Sequence, residues 1–283
     1  MAKRISVEKL RGVVNMGRVA EESMDGGIHV RVFVDPTCPR WLALAVRDAF
    51  VPERDAHVDV FVLNEHPQIA GVDVGIIVAG RSEAFVRAGI RAFAGARQNV
   101  IVVAESSLDI PETHMPAKLG QFIRDVVASE HGPLYDRLAN ALIDSTDKDV
   151  SCAANFAFCR NVATARLVSR CAAHNAVMGV FDFIPGAGMP LMTMNQLNMG
   201  FDMAATFGHG LSIARAPEVI FILAAGLFYR GVARTVLRAV PGLGIIVRAG
   251  LAYAGTLTTG RMLATHFAEG LPPASAEVEA TVA

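Results

Sequence analysis

The stretch IHVRVFVDPTCPRWLALAVRDAF, residues 28–50, is a strand, a turn and a helix in immediate succession. Ile28 to Val34 alternates β-branched and other side chains with period two, the pattern of a strand. Asp35-Pro36-Thr37-Cys38-Pro39 is a turn by composition, and Arg40 to Phe50 has helical spacing of its apolar residues. The same unit recurs downstream. His57–Leu63, Val72–Ala79 and Asn99–Ala104 read as strands, and the last two are the continuous apolar runs of strands covered on both faces. Ser82 is placed to cap a helix over 83–95, and Pro133 sits in the first turn of a helix over 132–144. Phe122–Ala128 fits a fifth strand or a helix. Strands alternating with helices predict an α/β domain with a mostly parallel, Rossmann-like sheet over residues 26–148. Val7, Leu10, Val13, Val14 and Met16 predict an amphipathic helix within residues 1–25.

After the polar break Ser145–Asp149 the strand signal vanishes. Residues 149–268 predict an all-α hydrophobic domain of four helices, at about 151–182, 190–208, 216–239 and 243–268. Its centre is CAAHNAVMGVFDFIPGAGMPLMTMNQLNMGFDMAATFG, residues 171–208: two apolar helices joined by a Pro/Gly elbow at 184–190. Between His174 and Ala205 the only charges are Asp182 and Asp202. That hairpin needs cover from the rest of the chain, from a partner or from a membrane surface. The best apolar run, Val219–Tyr229, is too short for a hydrocarbon core of about 30 Å. Pro241, Gly242, Gly244 and Arg248 interrupt the next run, so a helical core is the first expectation. Glu269–Ala283 reads as a flexible tail.

Formal net charge is −1, so no basic excess points to nucleic acid. The four cysteines form no CxxC pair and read as small buried residues of a reducing cytoplasm. The N-terminus lacks the apolar core of a signal peptide. These features predict a cytoplasmic location, with the periphery of the inner membrane as the alternative.

A phosphate loop would place glycines at Val34 and Pro39, lysine at Arg40 and Ser/Thr at Trp41; none of the four is present. A γ-phosphate sensor Asp-x-x-Gly is replaced by Asn64-Glu65-His66-Pro67, and a base-reading Asn-Lys-x-Asp by Ser106-Ser107-Leu108-Asp109. The eight histidines show no HExxH or similar spacing, and no nucleophile triad emerges. The expectation is therefore no catalytic residue, no metal and no cofactor. Asp35, Thr37, Arg40, Ser106 and Asp109 fall at the C-terminal strand ends, where open α/β sheets bind ligands. In the helical half His174, Asn175, Asp182, Asn195, Gln196 and Asp202 are the polar candidates. They serve either as hydrogen bonds between helices or as a polar site within the bundle. Arg230, Arg234 and Arg238 form a stripe that faces water or meets phosphate head groups or an acidic partner.

The segment His174-Asn175-Ala176-Val177-Met178-Gly179-Val180-Phe181-Asp182-Phe183-Ile184-Pro185, with Pro190-Leu191, Asn195-Gln196, Met199 and Phe207-Gly208, resembles a known helical domain. It is the domain of unknown function 697, attached to some Era-like bacterial GTPases and present in some bacterial inner-membrane-associated proteins. The resemblance covers residues 160–268 and departs at Gly188, where many members carry an acid. It implies a bacterial protein whose N-terminal half is a degenerate GTPase-like domain. It also implies a helical half that makes a homodimer, another oligomer, or contact with a protein partner or membrane surface. Two functions follow as expectations: a non-catalytic binding or scaffold protein, or a nucleotide- or small-molecule-binding protein, including an unrecognised enzyme, that uses the strand-end crevice.

Overall fold

The computed structural model describes residues 7–180, 188–209 and 245–269. The chain divides into two compact units, 24–163 and the combination of 1–23 with 164–283.

The first unit carries β1 (His29–Val34), α2 (Arg40–Ala49), β2 (His57–Val62), β3 (Val74–Val78) and α3 (Glu83–Gly95). There follow β4 (Asn99–Ala104), α4 (Ala117–Gly120), β5 (Ile123–Val127), α5 (His131–Asp144) and α6 (Asp149–Asn155). All five strands are parallel and lie in the order β2-β1-β3-β4-β5. The α/β architecture is thus as the alternating pattern predicts, and Ile123–Val127 is a strand. After β1 the chain runs out to β2 on one side and returns to β3 on the other. The topological switch point, where doubly wound sheets bind ligands, therefore lies between β1 and β3.

Strand alternation sorts the core into two layers. Val30, Val32, Ile76, Val78, Ile101 and Val103 face Leu42 and Val46 of α2 and Leu134 and Leu138 of α5. Phe33, Ile77, Val100 and Val102 face Val86, Ile90 and Phe93 of α3. At Gly75 a β-carbon would lie 2.2 Å from the Phe93 ring, so glycine lets the tip of that ring reach the β3 backbone. β3, at the centre of the sheet, is buried at all five positions. That is why its sequence is apolar throughout rather than alternating.

Two expectations need correction. The predicted helix 151–182 is broken: α6 ends at Asn155, Phe156 is extended (φ −123°, ψ 108°), and α7 begins at Arg160. Phe156 is fully buried and stacks edge-on with Phe50 at 5.0 Å, so tertiary packing overrides helix propensity there. The boundary falls at 163/164 rather than at 148/149. Cys152, Ala153, Phe156, Cys159 and Ala163 complete the layer under α2 and α5, so the chain returns to the sheet after its polar break.

The second unit contains α1 (Val7–Met24, whose last residue counts with the sheet), α7 (Arg160–Val180, whose first four residues count with the sheet), α8 (Gly188–Thr206) and α9 (Ile245–Glu269). Its described residues from 164 onward are helical but for a turn at 207–209. Val168, Cys171, Met199, Met203 and Leu263 form the core. No helix among the described residues is long and apolar enough to cross a membrane. The expected helix 216–239, the run Val219–Tyr229, the stripe Arg230–Arg238, Asp182, the elbow residues 184–187 and the tail from 270 lie outside the described residues.

Candidate functional site

Asp35 directly follows β1 at the switch point and is fully buried. Its Oδ1 accepts hydrogen bonds from the Thr37 amide (2.9 Å), the Thr37 hydroxyl (2.8 Å) and the Ser82 hydroxyl (2.9 Å). Its Oδ2 accepts from the amides of Gly80 (3.1 Å) and Ser82 (3.0 Å). The Arg81 amide donates to Thr37 Oγ1 at 2.7 Å, and the Cys38 amide closes the turn onto the Asp35 carbonyl at 3.0 Å. The first βα turn and the turn after β3 are thereby tied into one body. Gly80 makes this possible, since a β-carbon there would lie 2.5 Å from the Cys38 nitrogen and 2.7 Å from the Thr37 carbonyl carbon.

Burial pushes the Asp35 carboxyl up. The hydrogen bonds from Thr37 and Ser82 outweigh it and hold the group below its ordinary value. Burial and the Asp35 charge push the Cys38 thiol up, so Cys38 is no activated nucleophile. All four cysteines are free; three are buried and Cys38 is half-buried. Ser82 occupies the N-cap position of α3 without capping it, because its hydroxyl goes to Asp35 instead.

The expected candidates separate into two groups. Asp35 and Thr37 are joined, with Gly80, Arg81 and Ser82 as partners. Ser106 and Asp109 bond each other in the turn after β4: the Ser106 amide reaches Asp109 Oδ2 and the Leu108 amide reaches Ser106 Oγ, both at 3.3 Å. Arg40 is exposed at the start of α2. Beside it the Trp41 indole donates to Glu105 Oε1 at 2.9 Å and packs on His131 at 5.4 Å, bridging from the first turn to the ends of β4 and β5. Gly80, Ser82, Trp41 and Glu105 had no motif to announce them. The readable signal for Gly80 and Ser82 is an Asp at the end of β1 together with Gly-x-Ser at the end of the strand beside it.

In the helical unit the polar candidates join helices. Asn195 Nδ2 on α8 donates to Asn175 Oδ1 (3.0 Å) and to the Cys171 carbonyl (3.2 Å) on α7. Asn175 Nδ2 donates to Thr256 Oγ1 on α9 at 2.9 Å. Gln196 is buried, and its Nε2 has no partner among the described residues. His174 is exposed on α7 and stands outside this network. Asp202 is half-buried; burial pushes its carboxyl up to about 6, against the pull of the Arg170 charge. Compared with known proteins, the chain matches no protein family, no curated protein and no solved structure.

Proposed function

We propose that this protein is a non-catalytic binding or scaffold module. Its α/β unit keeps the layout of a nucleotide-binding domain, read here as a degenerate GTPase-like one, while its crevice is closed by its own side chains. The observation that supports this reading is the saturation of Asp35. In a doubly wound sheet the amides of the turns at the switch point are the donors for an anionic ligand. Here the amides of Thr37, Gly80 and Ser82 all point at a protein carboxylate, and the Arg81 amide at a protein hydroxyl. A phosphate entering the same place would meet a buried negative charge and find those donors engaged. Pro39, at the N-cap of α2, offers no amide either.

On this reading binding belongs to the surface of the protein rather than to the crevice. The helical unit, with its resemblance to domain 697, supplies self-association, a protein contact or a membrane-surface contact. Calorimetric titration of the detergent-free chain with GTP, GDP, ATP and NAD, with and without magnesium, tests it. The expected result is no heat and no thermal stabilisation at millimolar ligand. Micromolar binding, equivalent to about −8 kcal/mol, would overturn the reading and return the crevice to use as a ligand site.

A further inference from the structure

At the opposite end of β1 and β2 the sheet register assembles a second cluster. His29 pairs with His57 across the two parallel strands, and Arg31 pairs with Asp59. All four positions are odd-numbered, so their side chains rise from the same face of the sheet. His29 Nε2 lies 2.9 Å from Asp59 Oδ2, and His57 Nε2 lies 3.1 Å from Asp59 Oδ1. One ligand atom from each of His29, His57 and Asp59 falls within 4.8 Å of the others. No local spacing in the chain signals this set, because the two histidines stand 28 positions apart. Only the register brings them together.

We propose that His29 Nε2, His57 Nε2 and an Asp59 carboxylate oxygen form a three-ligand site for a divalent transition-metal ion of the zinc class. The dimensions suit it. With metal–ligand bonds of about 2.0–2.1 Å, tetrahedral partners stand roughly 3.3 Å apart; the two imidazole–carboxylate distances need to open by only a few tenths of an ångström, and the three ligand atoms all lie within 4.8 Å of one another. Two imidazoles and a carboxylate are the donors that zinc and its neighbours accept, whereas calcium and magnesium demand oxygen ligands. His57 is 68% exposed, which leaves the fourth coordination position open to water.

Arg31 is the positioning residue. Its Nε and Nη2 hold Asp59 Oδ2 at 3.1 and 2.9 Å, while Nη1 is pinned by the carbonyls of Gln68 (2.8 Å) and Ala70 (3.2 Å). Ligating carboxylates are commonly fixed by such outer partners. The His29 backbone is anchored as well, its amide donating to Asp73, which in turn pairs with Lys148. Asp59 and Arg31 cancel in charge, so affinity comes from coordination rather than from a general negative field. That again favours an ion which binds imidazole.

The test is titration of the full chain with zinc, cobalt(II) and magnesium in metal-free buffer, read by calorimetry, cobalt absorption and thermal melting. The expected result is one zinc or cobalt per chain, tetrahedral d–d bands, no thiolate charge-transfer band, and no heat with magnesium. His57→Ala should weaken binding by more than about tenfold and abolish zinc-dependent stabilisation, each measured against the variant's own metal-free melting point. Asp59→Asn should weaken it likewise. Undiminished binding by His57→Ala, a thiolate band from Cys38, or no zinc binding by the parent chain would each overturn the proposal. The nucleotide titration probes the other end of the sheet, so the two readings fail independently.

Discussion

Asp35 and Ser82, 47 residues apart, are bonded twice: the Ser82 amide meets Oδ2 at 3.0 Å and its hydroxyl meets Oδ1 at 2.9 Å. One buried carboxylate therefore joins the turn that follows β1 to the start of α3, on either side of the switch point. That carboxylate thereby fixes the position of one turn relative to the other.

Replacing Asp35 should show this in stability and in pH dependence. Whichever way the amide of Asp35→Asn turns, its NH2 faces at least one backbone N–H, and the loss should be about 2–4 kcal/mol at pH 7. The folded state holds the Asp35 carboxyl below its ordinary value of 3.8. The native state thus binds fewer protons than the unfolded chain in that range, and the stabilisation is complete above it and lost as pH falls through it. Urea unfolding followed by the fluorescence of Trp41, the only tryptophan, should show an acid-side decline that is shallower in Asp35→Asn.

Gly80→Ala tests the close approach of the two turns. Its β-carbon would sit 2.5 Å from the Cys38 nitrogen, a backbone atom that cannot swing aside. The expected cost is about 1–3 kcal/mol, the usual range for overpacking. Gly95, at the end of α3, has nothing within 4 Å of its β-carbon position. Gly95→Ala should therefore be neutral or stabilising by up to about 1 kcal/mol. Equal effects at the two glycines would mean that the turns are not held together.

β1, β3 and β4 were legible because burial on one or both faces writes itself into alternation or continuous apolarity, whereas β2 was legible from its β-branched and aromatic residues although it is largely exposed. β5 was ambiguous for a physical reason: Arg124 and Asp125 interrupt a short edge strand that is only partly covered. The polar break at 145–149 was real, but it preceded a return to the sheet anchored by Phe156, and no local rule sees an anchor made with Phe50. Asp35 and Thr37 were identifiable as strand-end residues. Their saturation was not, because Gly80, Arg81 and Ser82, which complete it, lie more than forty residues away and Ser82 looks like an ordinary helix cap. The His29–His57–Asp59 cluster was hidden for the same reason, since strand register is a tertiary fact.

Asp202 should make the helical unit prefer mild acid. Burial raises its carboxyl from 3.8 to about 6, so between these values the native state holds a proton that the unfolded chain has released. Stability from this group falls as pH rises through that window, and the cost is complete above it. Asp202→Asn should remove up to about 3 kcal/mol of that cost at pH 7.5 and change little at pH 4. Circular dichroism melts at the two pH values decide it. A gain of equal size at both would assign the effect to packing rather than to charge.

The two buried amides of the bundle should respond in opposite directions. Asn175 accepts from Asn195 on α8 and donates to Thr256 on α9, so Asn175→Leu strands buried polar groups on its neighbours. The expected loss is about 1–3 kcal/mol. Gln196 is equally buried, but its Nε2 finds no partner among the described residues. Gln196→Met, similar in volume, should be neutral or stabilising, because it removes a desolvated donor and leaves nothing unpaired. Thermal melts of the two variants side by side give the comparison.

β2 is an edge strand whose Val60, Phe61 and Val62 are 58%, 45% and 64% exposed. Proteins usually blunt such edges with lysine, proline or a bulge. Here the one charge on the strand, Asp59, is already engaged by Arg31 and both histidines. Val60 also lines a groove of about 420 Å³ with Val32, Phe50 and Val58, so the apolar surface continues from the edge onto the sheet. This edge should drive association between chains on warming. Val60→Lys should slow the rise of light scattering with concentration, while the melting midpoint shifts by no more than about 0.5 kcal/mol allows, as for an exposed site. The melting midpoint itself serves as the control for folding. If scattering is unchanged, the association resides in the helical unit, whose own exposed Val177, Leu251 and Met262 then become the positions to alter.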